Sequence, residues 1–443
     1  MPLKLYSTLS RKTEVFSPIS KGKVNLFVCG PTVYNYSHLG HAKTYVQFDM
    51  IAKYLRFRGF KVYYLQNITD IDDKIIKKAQ ETGENWKKVS KRYEKFYKED
   101  MKSLGVDSVN KYAPATRYIK EIISQVQRLI KKGYAYKISD GWYFDLSKDK
   151  DYGKLAGRTS LGAEDSVSRI DENKGKRNLG DFCLWKFSKP GEPIWKSDIG
   201  DGRPGWHIED TAITEKEFGP QYDIHGGATD LIFPHHEAEI AQMESISGKK
   251  PLVRYWMHTG FLNIEKEKMS KSLGNFMTIR DALKTYKKDT IRYFLASTNY
   301  RKPIDFSEEA LEAARNSVER LKNIVAELKD DKKINRKYLE EFQKEVDEDI
   351  NLPNGLAVLW KFVRDEKAYG KLRTIKKIDE VFCFGLLKKD KEKFPKEVAN
   401  LIKEREKFRK SGNFAEADKI REKINKLGFI LEDTEKGAVV KKG

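Results

Sequence analysis

Apolar positions in the first part of the chain follow two periods in turn. Residues 24–29 and 61–66 are short apolar runs of strand length. Between them, from about Leu39 to Arg58, Tyr45, Val46, Ile51, Ala52 and Leu55 recur at helical spacing. Strand, helix and strand in that order predict a parallel α/β unit. From about Lys120 the pattern changes. Residues 134–136 and 141–144 read as short antiparallel strands, followed by a charged, glycine-punctuated connection around 171–180. Features of the α/β type resume at Trp206 and continue through 222–225 and 256–259, so the stretch between reads as an insertion. Beyond Phe306 the residues Leu311, Ala314, Val318, Leu321 and Ile324 predict helices, with an interruption at Pro353 near Asn351. Residues 396–443 are lysine-rich and glutamate-laced, and read as helical with a turn at 411–413. No fixed period is evident, which argues against a solenoid.

Composition narrows this picture in three ways. With 443 residues, 39% of them hydrophobic and 12% aromatic, the chain can bury sizeable cores. No run approaches the roughly 18 apolar residues of a membrane span, and Met1-Pro2-Leu3-Lys4 opens no signal peptide, so no membrane association is expected. The three cysteines, Cys29, Cys183 and Cys383, are too few and too scattered for a disulfide framework, which points to a reducing cytoplasm. Lys and Arg outnumber Asp and Glu by 86 to 66, a formal charge of +20. Such an excess suits a polyanionic partner, but a lysine-favouring codon bias would produce it equally well. Charge does not decide between them.

Two short segments carry the candidate chemistry. His38-Leu39-Gly40-His41 follows a predicted strand and opens a predicted helix. A helix start offers N–H groups and a favourable dipole to phosphate, glycine allows close approach, and two imidazoles can donate to phosphate oxygens. Lys268-Met269-Ser270-Lys271-Ser272 is a doubly basic loop ahead of Gly274, suited to closing over a polyphosphate. Either segment alone is weak evidence. Together, and in this order, they resemble the signature of class I aminoacyl-tRNA synthetases.

Further motifs lie between and around them: residues 29–34 (Cys-Gly-Pro-Thr-Val-Tyr), 67–74, 202–209, 223–227 and 233–239 (Phe-Pro-His-His-Glu-Ala-Glu). They are similar to those of cysteinyl-tRNA synthetases, nearly end to end. The resemblance implies an α/β, doubly wound, Rossmann-like catalytic domain split into residues 1–120 and 203–265 by a connective insertion at 121–202. It implies next a signature-loop and stem-contact region at 266–310, an all-α bundle at 311–395, and a helical anticodon-binding segment at 396–443.

The resemblance also implies a zinc ion, one per chain, at the floor of the amino-acid pocket, held by two cysteines, a histidine and a glutamate. His235 and Glu239 are spaced i,i+4 and so share one helix face, as two ligands of one metal would. Cys29, at a strand end, is a plausible third ligand, although a lone buried cysteine is more often a small core residue. At the second cysteine the chain departs from the family: the residue after Trp206-His207-Ile208-Glu209 is Asp210. A carboxylate keeps the charge of a thiolate but is a harder ligand, which bears on both affinity and metal choice.

The remaining expectations are assigned as follows. His38, His41, Lys268 and Lys271 are catalytic, and together with Gly40 and Ser270 they bind ATP. Cys29, Thr69, Trp206, His225 and Asp230 contact the amino acid. Trp206 reads equally well as ordinary core, and Asp230 as a helix cap. Magnesium accompanies ATP. The expected reaction joins L-cysteine to ATP as cysteinyl-adenylate and then transfers it to tRNA(Cys). Two other readings share parts of this pattern: a cysteine ligase loading an amino sugar, and a catalytically silent RNA-binding paralogue. The basic tail argues against the first, and retention of both histidines and both signature lysines against the second.

Overall fold

The computed structural model describes residues 1–157, 174–264, 267–268, 277–388, 395–434 and 437–442. The chain divides into two compact units, Met1–Leu387 and Lys388–Gly443.

The first unit is organised by a five-stranded parallel sheet: β1 (Lys23–Val28), β2 (Lys61–Ile68), β3 (Lys111–Pro114), β4 (Tyr222–Ala228) and β5 (Val253–Thr259). The strands lie in the order β5-β4-β1-β2-β3, so the sheet grows outward from β1 in both directions. Side chains alternate between two cores, as the period of 2 requires. Val24, Leu26 and Val28 pack on one face with Ile224 and Met257, whereas Phe27 and Cys29 join Leu65, Tyr222 and Trp256 on the other. Helix α1 (Leu39–Phe57) covers the first face, and α2 (Ile208–Phe218) and α3 (Glu237–Ser247) contribute to the second. This is the doubly wound α/β architecture expected from the sequence. In such a sheet the order reverses between β1 and β4, and ligands bind in the crevice beyond the strand ends there.

Between β3 and β4 the chain forms a helix (Ile119–Lys131) and a four-stranded antiparallel sheet of Ala135–Ile138, Gly141–Phe144, Cys183–Phe187 and Gly202–Pro204. The first two strands match the predicted pair, while the other two were not anticipated. Four helices follow the α/β region: Glu308–Glu327, Arg336–Val346, Leu352–Arg364 and Lys371–Phe382. Pro353 is the second residue of the third of them, in the first turn after the N-cap Asn351, where the helix leaves N–H groups unpaired and the missing proline N–H costs nothing.

The second unit corrects one expectation. It is helical over Lys396–Lys410 and Phe414–Lys426, but it ends in an antiparallel hairpin of Phe429–Thr434 and Gly437–Lys442. The β-branched Ile430, Val439 and Val440 favour that form. Val398, Ile420, Ile424 and Leu431 make its own small core. Among the described residues no helix is long and apolar enough to cross a membrane.

Candidate active site

A cavity of about 250 Å³ opens where the sheet order reverses, lined by Cys29, His38, His41, Thr44, Tyr45 and Asp230 among others. Its phosphate-facing side is the start of α1. His38 is the N-cap and His41 stands one turn in. The His41 N–H donates to His38 Nδ1 at 3.4 Å, and the His38 N–H donates to His41 Nδ1 at 3.2 Å. The two rings stack at 3.8 Å. Because each Nδ1 accepts a main-chain proton, each imidazole carries its own proton on Nε2 and presents a donor there. No acidic residue lies in the first turn of α1, so nothing on the helix competes with an anion for its dipole.

The floor is different in kind. Cys29 follows the last residue of β1 and is buried in the core that α2 and α3 share. Its Sγ lies 3.5 Å from His235 Nε2. That same nitrogen is 3.1 Å from Asp210 Oδ2 and 3.3 Å from Glu239 Oε1. Ligand atoms of Asp210, His235 and Glu239 all fall within 4.8 Å of one another. The other three residues expected to hold the metal therefore each stand within 3.5 Å of His235 Nε2. Asn67 braces the site: its Nδ2 donates to Asp210 while its Oδ1 accepts the Gly30 N–H. Gly30 allows this closeness, since a Cβ there would fall 1.8 Å from the Asn67 carbonyl oxygen.

Electrostatically the floor is short of positive charge. Burial, reinforced by Asp210 and Glu239, pushes the Cys29 thiol well above its ordinary range. Burial and then Asp210 push the Glu239 and Glu209 carboxyls up as well. Among the described residues neither carboxylate oxygen of Glu239 has a hydrogen-bond partner. Buried polar atoms are normally satisfied, so a carboxyl whose nearest neighbours are imidazoles at 3.3 and 3.6 Å and other acids suits a cation. One sulfur, one imidazole nitrogen and two carboxylates form a donor set that suits zinc.

The other expected residues gather around this point. Trp206 stacks on the His235 ring at 4.3 Å and is half-buried. His225 stacks on Trp256 at 4.2 Å, and burial holds its imidazole neutral. Thr69 donates its hydroxyl proton to Glu209. Asp230 stands exposed at the cavity wall; the helical turn it belongs to is preceded by Ala228 at its N-cap, so Asp230 does not cap it. Residues 269–276, with Ser270 and Lys271, and the side chain of Lys268 lie outside the described residues.

Sequence reasoning assigns no role to Asn67, Glu209, His207, His236 or His258, all of which stand in this network. His207 Nδ1 is 2.8 Å from His235 Nδ1, and His236 Nδ1 is 2.8 Å from His258 Nε2. The available signal was the density of histidine in segments already singled out by the motifs.

Comparison with known proteins agrees with this geometry. Residues 15–316 match the family described as tRNA synthetases class I (C) catalytic domain, and residues 391–440 match the cysteinyl-tRNA ligase anticodon binding domain. The chain belongs to the cysteinyl-tRNA synthetase family. It is 46% identical to a cysteine–tRNA ligase of Thermoplasma volcanium, over 97% of both chains. It is 44% identical to one of Thermococcus gammatolerans, over 100% of this chain and 99% of the relative. Among solved structures it shares its fold with Mycobacterium tuberculosis methionyl-tRNA synthetase in complex with methionyl-adenylate, at a TM-score of 0.58 and 16% identity, covering 82% of this chain and 90% of the other. A leucyl-tRNA synthetase ternary complex of Agrobacterium radiobacter gives a TM-score of 0.59 at 11% identity, covering 83% of each chain.

Proposed function

We propose that this chain activates L-cysteine with ATP and transfers it to tRNA(Cys), in the cytoplasm, for protein synthesis. The observation that carries the reading is that Cys29 both stands 3.5 Å from the His235 nitrogen at the centre of the ligand cluster and lines the cavity headed by His38 and His41. An amino acid anchored on the floor would thus face a nucleotide at the helix start. Cys29, Asp210, His235 and Glu239 would hold one zinc ion, which when bound supplies a soft acceptor for the substrate thiolate. Pockets built on shape alone separate such similar side chains by only about 1–3 kcal/mol.

The remaining chemistry belongs to the chain's own groups. His38 and His41 direct Nε2 donors, and the α1 terminus directs its dipole, toward the ATP phosphates. Lys268 and Lys271, assigned from their motif, add positive charge as the α-phosphorus becomes pentavalent. The cysteine carboxylate attacks in line, and pyrophosphate leaves with its magnesium. No nucleophilic side chain is needed, since alignment and charge neutralisation supply the catalysis. Asp230, on the cavity wall, is placed to meet the substrate ammonium, and Thr69, Trp206 and His225 shape the pocket. The match of residues 391–440 to an anticodon-binding domain supports RNA rather than an amino sugar as acceptor.

The test is ATP–pyrophosphate exchange with each amino acid on protein of measured metal content, together with charging of tRNA(Cys). Cysteine-selective exchange is expected. Truncation after Leu387, between the two compact units, should leave exchange nearly intact and impair tRNA charging. Exchange that ignores cysteine, or charging untouched by truncation, would overturn the corresponding half of the proposal.

A further inference from the structure

Immediately beyond the lysine-rich signature the chain returns to the start of α1. The Ile279 N–H donates to the Ser37 carbonyl at 3.0 Å, and the Leu39 N–H donates to the Met277 carbonyl at 3.1 Å. His38 thereby faces Thr278 across an antiparallel bridge. Thr278 in turn caps the helix Ile279–Thr285, its hydroxyl accepting the Asp281 N–H. The backbone that sets the His38 imidazole is therefore held by a single isolated bridge, and one bridge is weak without support.

Arg280 supplies that support from outside the bridge. Its Nε donates to Asp100 Oδ1 and its Nη2 to Glu99 Oε2, both at 2.8 Å. Both acids stand on the helix Trp86–Ser103. The guanidinium lies 4.4 Å from the Phe96 ring centre and 5.4 Å from that of Tyr36. Tyr36, two residues ahead of His38, is itself stacked on Phe96 at 5.1 Å with an interplanar angle of 16°. It is still 38% exposed, so burial alone does not explain its placement. A single side chain thus joins three segments that the sheet does not connect directly: the loop before α1, the helix Trp86–Ser103, and the exit from the signature loop.

We propose that Arg280 is a positioning residue for His38, and through it for adenylate formation. This inference rests on the function proposed above. A planar guanidinium can bind two carboxylates and lie on an aromatic face at once, whereas a lysine ammonium cannot do both. Reaction rates depend steeply on such placement: a shift of about 1 Å can cost about 10²-fold.

The experiment compares the full-length parent with Arg280→Ala, Arg280→Lys, Tyr36→Ala and Tyr36→Phe. Single-turnover adenylate formation is scaled to active sites counted from the burst amplitude, with KM for cysteine measured alongside. Arg280→Ala should lower the rate per active site by about tenfold or more, with KM for cysteine changed by less than about twofold. Arg280→Lys should recover little of this. Tyr36→Ala should fall in the same direction by a smaller factor, and Tyr36→Phe, which keeps the ring, should match the parent. A rate per site within about twofold of the parent in Arg280→Ala would overturn the proposal. So would a loss confined to the number of active sites, which would make the contact structural only. A parent that shows no cysteine-dependent adenylation, whatever its variants do, would instead overturn the proposed function, and this inference with it.

Discussion

The floor of the cleft and its phosphate-facing rim both adjoin the end of β1, yet they manage charge in opposite ways. The floor is buried and crowded with acidic groups: Cys29, Asp210 and Glu239 meet around one imidazole, with Glu209 close behind. On the function proposed above, a cation completes it. The rim is half-exposed, and its two imidazoles have already met their Nδ1 needs from the backbone of their own helix. Its imidazoles are oriented by the chain's own backbone. A site that recognises a small side chain can thus keep its selective element apart from the element that stabilises passing charge, and the two should fail separately under mutation.

The sharpest break of this comparison is on the rim. His41→Ala should reduce adenylate formation by about 10²–10³, the usual effect of removing one preorganised donor, while leaving zinc content and the preference for cysteine over serine unchanged. Elemental analysis and single-turnover kinetics on the same sample would check both halves. If metal were lost together with rate, the two regions would not be separable.

The floor should fail in the complementary way. Asp210→Ala should loosen zinc against a chelator and cut discrimination of cysteine from serine by about 10–10²-fold, with ATP affinity unchanged. Asp210→Cys should tighten zinc retention, because a second thiolate is the softer ligand. Retention should also weaken as pH falls, since protons compete for Cys29 and Glu239, whose affinity for protons burial has raised. Gently purified parent protein that contains no metal but still selects cysteine would remove zinc from the account.

A finer cut separates structure from chemistry within the rim. His38→Ala removes a helix cap as well as a donor, and should cost about 1 kcal/mol of stability in denaturant unfolding. His38→Asn should recover that stability, because asparagine caps well, but not the rate. Recovery of both would mean that His38 acts only as a cap.

A test away from the reacting groups concerns Lys43, buried one turn further along α1, where desolvation lowers its pKa to about 7. A depressed lysine binds its proton more readily in the unfolded chain, so its contribution to stability is greatest above pH 10.5 and is lost as pH falls toward 7. Lys43→Met should flatten the rise of stability with pH across that window by the equivalent of about one proton. An unchanged slope would mean that the amine is solvated.

Sequence reasoning reached the sheet because its strands are buried on both faces and its helices are amphipathic, so local pattern and global position agree there. It paired His235 with Glu239 because i,i+4 spacing is a local property with a chemical meaning, and it added Cys29 from its place at a strand end and from the family resemblance. It did not reach Asn67 or His207, whose roles exist only once β2 and α2 are brought beside β1 and the His235 segment. It missed the hairpin that closes the C-terminal unit, because the charged helical composition of residues 396–426 hides a short β-branched pair behind it. The strands Cys183–Phe187 and Gly202–Pro204 escaped for a related reason: they pair across a long excursion that no local period records.

The chain has seven histidines. His38 and His41 stand at the rim, and His207, His225, His235, His236 and His258 are linked by ring contacts behind the floor. No imidazole is spent elsewhere on the molecule. A proton magnetic resonance spectrum edited for histidine ring carbons would therefore be a spectrum of the cleft alone, free of background from the other 436 residues. With carbon-13 placed in the histidine rings, ligand addition, metal loading and titration could each be followed there through two C–H signals per ring.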